Sequence, residues 1–168
     1  MKLTDIMPVS DWIELEQEIF EKSGLNPTIY DTKGVSITQT TTWVNKLCPE
    51  IKGVAKGQTF ICSAAHQNIA GIAEKTKEPT IDECDAGLLK IVVPIYVDDE
   101  FIGAAGGCGL MLDDSEVEEY LVNMTTGIEE EKIADISKSV NVISQEKAEE
   151  IADFIKEKLA TIIEKFKA

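Results

Sequence analysis

The sequence predicts an α+β protein built on one antiparallel sheet. Three observations carry that prediction. Apolar residues recur at three-to-four spacing near both ends, in Trp12, Leu15, Ile19 and Phe20 and again from Ala148 to Phe166, which marks amphipathic helices. Leu88 to Val97 is nearly continuous in apolar and β-branched residues, and the Asp98-Asp99 turn joins it to the glycine-rich run Phe101 to Gly109, which makes two central antiparallel strands. Ahead of them, Ile61, Ala65, Ile69 and Ile72 repeat at helical spacing and form a helical insertion.

Taken in order, the first helix is expected to start at a Ser10 cap and stop at Gly24. Thr28 to Asp31 and Gly34 to Thr38 flank Thr32-Lys33 and read as a short hairpin. Trp43 to Cys48 is expected to be a helix ending before Pro49, because the ring disfavours helical backbone in the residue ahead of it. Gly53 to Gly57 reads as a loop. In the following helix, Ile61 to Lys75, Cys62 and His66 lie one turn apart on a shared edge. The four glycines between Gly103 and Gly109 leave little side chain above the second central strand, so another backbone, a helix or a ligand should approach it closely.

The remainder is helical: Ser115 to Met124, Ile128 to about Ile136, and the long Ser144 to Phe166. Ala148, Ala152, Ile155, Leu159, Ile162 and Phe166 step as a heptad seam, which serves either to pack on its own domain or to dimerise and transmit a signal. The organisation expected is a domain over residues 1–140 followed by an amphipathic helix over 141–168 that joins a homodimer.

Charge and composition exclude several functions. The chain has 31 acidic against 16 basic residues, a net charge of −15, and every basic residue is lysine. Polyphosphate is repelled and no guanidinium fork exists to clamp phosphate, so nucleic acid is not an expected partner. No apolar run of about 18 residues occurs, and none follows a basic start at Met1-Lys2, so no membrane segment is expected and the expected location is the cytoplasm. Nucleotide fingerprints and a G-x-S-x-G elbow are absent, and His66 is the one histidine.

Two groups of residues could carry chemistry. Cys62 with His66 has the spacing at which an imidazole activates a thiol, which leaves a cysteine-based redox enzyme as an alternative function. Cys48, Cys62, Cys84 and Cys108 all come from element ends and could converge on one pocket, where four thiolates would hold zinc or an iron–sulfur cluster. Their separations of 13, 21 and 23 intervening residues contain no C-x-x-C knuckle. Free, buried cysteines are the other reading, and a standalone dimeric interaction protein is a further alternative.

Leu47-Cys48-Pro49-Glu50-Ile51, then Cys62, Pro79, Cys84-Asp85-Ala86-Gly87-Leu88, Val93-Pro94-Ile95, Phe101-Ile102-Gly103 and Gly106-Gly107 together resemble the PocR-type sensory domain. That family has a variant of the PAS-like ligand-binding fold, and the similarity covers about residues 10 to 140. The resemblance implies an antiparallel sheet with helices on one face, and a sensor of simple hydrocarbon derivatives such as propanediol in signal transduction or transcription regulation. Such domains are usually joined to a kinase, chemoreceptor or DNA-binding output, which here is expected either on a separate protein or on a longer chain. Members carry cysteines matching Cys48, Cys62 and Cys84, which implies that these act together. Asp85 stands where a histidine is common, and Cys108 where glutamine is usual, which adds a fourth thiol. The ligand pocket is expected between the sheet and the helical insertion, with Trp43, Cys62, His66, Cys84 and Asp85 as ligand-binding residues.

Overall fold

The computed structural model describes residues 1–168. Two helices open the chain, α1 (Leu3–Ile6) and α2 (Val9–Ser23), followed by strand β1 (Asn26–Tyr30). The helical insertion comprises α3 (Leu47–Lys52), α4 (Ala55–Gly57), a π-helical stretch (Gln58–Ser63) and α5 (Ala64–Thr76). Then come β2 (Thr80–Glu83), β3 (Leu89–Val97), β4 (Glu100–Cys108), β5 (Met111–Leu112), α6 (Glu119–Thr126), α7 (Glu130–Ser137), β6 (Val142–Ile143) and α8 (Gln145–Lys167). Four strands form one antiparallel sheet in the order β1-β4-β3-β2, so the two strands of the Asp98-Asp99 hairpin are central, as their composition predicts. This is the α+β, PAS-like architecture expected.

Strand alternation decides what covers each face of the sheet. Leu89, Ile91, Val93, Ile95 and Val97 of β3 share a core with Trp12, Leu15 and Ile19 of α2 and with Ala148, Ile151, Ala152, Ile155 and Leu159 of α8. Val92 and Ala104, out of phase with that set, pack with Ala65, Ile69 and Ala73 of α5. The terminal helices therefore share one face and the insertion lies over the other, so helices cover both faces of the sheet and not one as expected, because β3 is apolar on both sides. A further cluster joins Leu47, Ile51 and Ile61 of the insertion to Val122 and Ile133 of α6 and α7. Each large aliphatic side chain so enclosed contributes about 1.5–3 kcal/mol.

Local chemistry explains the element ends. Gly24 closes α2 in the left-handed region at φ 73°, donating its N–H to Phe20 O at 2.8 Å. Ser144 Oγ accepts the Lys147 N–H at 3.1 Å and starts α8. Gly106 meets the expected close neighbour, which is backbone: a Cβ there would lie 1.9 Å from Ile91 O.

Several expectations are corrected. The first helix starts at Val9, behind the extended Pro8, and Ser10 lies inside it, donating to Asp11 at 3.1 Å. The hairpin after β1 is reduced to one bridge, Tyr30–Ser36, with the Ile37 N–H donating to Ile29 O at 3.0 Å, because on that edge of β1 the Ile29 N–H goes to Glu16 and not to the returning segment. The segment beyond finds side-chain partners instead. Buried Glu16 accepts the Ile29 N–H at 3.0 Å and the Thr38 hydroxyl at 2.5 Å, and also holds Thr40, while Asn26 Oδ1 accepts the Thr42 N–H at 3.0 Å. Pro49 does not end a helix; it sits in the first turn of α3, where its missing N–H would have no intrahelical partner anyway. The expected Gly53–Gly57 loop is in part α4, which continues into the π-helical stretch. Strands β2, β5 and β6 and helix α1 carry too few residues to show a period.

The α8 seam faces its own domain. Ala148, Ala152, Ile155 and Leu159 are buried in the core with α2 and β3, Ile162 packs against it, and Phe166 is 39% exposed. The two alanines allow the helix to lie close to its neighbours, and the enclosed positions are not on offer to a second copy.

Candidate functional site

Between the sheet and the insertion lies a cavity of about 110 Å³. Its floor is the sheet face opposite α8. Asn26 of β1, Cys108 of β4 and Lys90 of β3 form one cross-strand row, because Asn26 and Lys90 both pair with Cys108. Two residues along, Gly106 sits between Thr28 and Val92, and the next row holds Tyr30 and Ala104. Lys90 Nζ nevertheless donates to Tyr30 Oη at 3.3 Å, and lies 5.1 Å from the centre of that ring. These residues stand on strands that flank β4, so their side chains meet above the glycine strand.

The walls come from the insertion and the β2–β3 turn. Ile51 and Cys48 project from α3, Ile61 and Cys62 from the π-helical stretch, Ala65 and His66 from α5, and Cys84, Ala86 and Leu88 from the turn. Trp43, 46% exposed, and Lys52, whose Nζ lies 5.8 Å from the Trp43 ring centre, stand at the outer side. Asn45 ties the insertion to the sheet: Nδ2 donates to Gly109 O at 2.8 Å and to Cys48 Sγ at 3.3 Å, while Oδ1 accepts the N–H groups of Leu47 and Cys48.

The structure thus brings Trp43, Cys62, His66 and Cys84 to one cavity, together with Cys48 and Cys108. It does not bring Asp85, which is exposed in the β2–β3 turn and lies outside the lining, since the neighbouring Cys84 and Ala86 take the inward positions. Sequence reasoning missed Asn26, Tyr30 and Lys90. One signal was legible: Lys90 is the single charge inside the apolar run Leu88 to Val97.

Burial governs the titration of the site. It pushes the Cys48 thiol up to about 12, with Cys108 adding to the rise, and the Cys62 thiol up to about 11; Cys84 is raised for the same reason. These thiols are protonated at neutral pH. Burial, with the Lys90 ammonium second, lowers His66 to about 3, so its ring is neutral; it stacks on Tyr30 with centroids 3.7 Å apart. Burial works against the Lys90 ammonium, but Tyr30, Cys108 and Cys62, which would turn anionic in the alkaline range where a lysine titrates, outweigh it and hold the group above the usual lysine range.

That chemistry suits binding better than turnover. His66 Nδ1 makes no hydrogen bond, to the Cys62 thiol or anything else, and the raised thiol lacks the activation a nucleophile needs. The four thiols line one cavity, but no three His, Cys, Asp or Glu side chains are grouped so as to hold a metal ion. As placed they do not fit zinc or an iron–sulfur cluster, which require thiolates converged at about 2.3 Å from the metal.

A family model described as the sensory domain found in PocR matches residues 5–166. No curated protein and no solved structure matches the chain. No helix is long and apolar enough to cross a membrane.

Proposed function

The chain belongs to the PocR sensory-domain family, and on that premise we propose that it senses a small organic molecule held in the cavity between the sheet and the insertion. The sensory role follows from membership. The observation that supports this occupant is the cavity itself, a mostly apolar space of about 110 Å³ with few polar groups on its floor. An engineered protein cavity of about 150 Å³ admits benzene, so a ligand of no more than about six heavy atoms is the appropriate size.

The same strand offers a route outward. Lys90 faces the cavity, while its neighbours Leu89 and Ile91 belong to the core that α8 completes. A ligand that shifts β3 therefore acts on both layers, and α8 with its exposed outer face is the element from which a separate output protein would read the change.

The test is thermal unfolding of the whole chain against a panel of two- to four-carbon alcohols, diols, amides and carboxylates. A ligand at a hundredfold excess over its Kd should raise Tm by roughly 5–10 °C. Ala86→Leu, which fills space beside Leu88, should abolish that rise while circular dichroism shows the fold retained. An undiminished response in the folded variant would place the ligand elsewhere.

A further inference from the structure

We infer that the cavity is an anion site, and that the molecule it takes is a short aliphatic monocarboxylate whose charge is met by the Lys90 ammonium. The inference rests on the sensor reading above and specifies the chemistry of its ligand.

Four observations point there. First, Lys90 is 6% exposed, lines the cavity and makes no ion pair; its one hydrogen bond is to a neutral phenol. Buried cations are ordinarily paired, because leaving water without a counter-charge is unfavourable. Asp82, directly opposite Lys90 on β2, does not supply the counter-charge: it is exposed and instead accepts the Glu83 N–H at 2.8 Å.

Second, the lining reverses the character of the surface. The protein carries 31 acidic residues and a net charge of −15, yet not one Asp or Glu lines this cavity, where Lys52 and Lys90 are the only charges. Third, the polar groups beside Lys90 are left with donors to offer. Tyr30 Oη accepts from Lys90, so its own hydrogen is free to donate, and Asn26 commits Oδ1 to the Thr42 N–H, leaving its amide N–H groups. Ammonium, phenol and carboxamide donors on the two strands that flank β4 match the two oxygens of a carboxylate.

Fourth, the opposite wall is largely apolar, with Ile51, Ile61, Ala65, Ala86 and Leu88 set among the Cys48, Cys62 and Cys84 thiols. One buried cation, with Lys52 only at the outer side, no guanidinium and an apolar wall suit a monoanion with an alkyl body. Phosphate, which is dianionic and has no apolar part, would leave charge unmet and bury that wall against water.

Propionate, propionamide and 1,2-propanediol, titrated calorimetrically into the full chain, separate the outcomes. Propionate is expected to bind and the two neutral probes to bind at least tenfold more weakly. Lys90→Met keeps the stem and removes the charge, and should weaken propionate by about 30-fold. Tyr30→Phe, which preserves the ring against His66, should weaken it roughly tenfold and serves as the second variant should Lys90→Met not fold. Binding of the diol or amide in preference to propionate would overturn the anion assignment and leave the sensor reading standing. Binding of none of the three would overturn the assignment, and the wider panel above would then decide the sensor reading. Propionate binding unchanged in both folded variants would put the carboxylate elsewhere.

Discussion

At the residue scale, His66 shows how burial replaces chemistry with structure. Its ring is stacked on Tyr30 and its pKa is lowered to about 3 by burial and by Lys90, against 6.5 in water. Between those values the unfolded chain binds a proton that the folded one refuses, so stability rises with pH across the window and is lost on acidification below about 6.5. The loss approaches about 1.4 kcal/mol per pH unit. His66→Phe retains an aromatic ring and cannot titrate; urea unfolding from about pH 6.5 to about pH 4.5 should cost it about 2 kcal/mol less than the wild type. Equal losses in the two proteins would mean that His66 protonates freely in the fold. The residues missed at this scale, Lys90, Tyr30 and Asn26, were missed because a lone lysine in a strand carries no spacing rule. Its meaning came from what stands opposite.

At the scale of elements, α8 is the instructive case. Its heptad pattern is real in the sequence, and it is the pattern of any helix with one apolar face. Whether that face meets a second copy or its own sheet is decided by which apolar surface is nearer, and here β3 and α2 supply it. Ile155, fully buried, tests the assignment: Ile155→Ala should cost about 3 kcal/mol in urea unfolding with an unchanged sedimentation coefficient. A variant that keeps its stability and sediments differently would place the seam at an interface. The π-helical stretch is the opposite case, since Gln58 to Ser63 fits an ordinary helical period closely enough that its extra width leaves no mark in the sequence.

For the whole molecule, charge is the main global term. The ion pairs are all at least partly exposed and such pairs contribute little, whereas a net charge of −15 repels itself in the folded state. Raising sodium chloride from about 0.01 M to about 0.1 M shortens the screening length from about 30 Å to about 10 Å. Tm should therefore rise over that range; a falling Tm would show that the surface pairs outweigh the repulsion. Two layers over one sheet also explain why the family match runs to residue 166. The helix read from sequence as a unit over 141–168 packs into the same core as α2 and the sheet.

The amino-acid order by itself determined what depends on near neighbours. The two long terminal helices, the Gly24 stop, the Ser144 start, the central hairpin and the tight approach at the glycine strand all follow from periodicity, capping and side-chain size, which act within a few residues. It also indicated the thiols and His66 as residues of interest. Tertiary structure decided what depends on distant partners: that β1 pairs with β4 while Glu16 caps its other edge, that Asp85 points outward, and that Asn26, Cys108 and Lys90 form one row beneath a cavity without carboxylates. The physical reason is that strand register and burial join residues far apart in the chain, and the field felt by a buried ammonium is set by that joining.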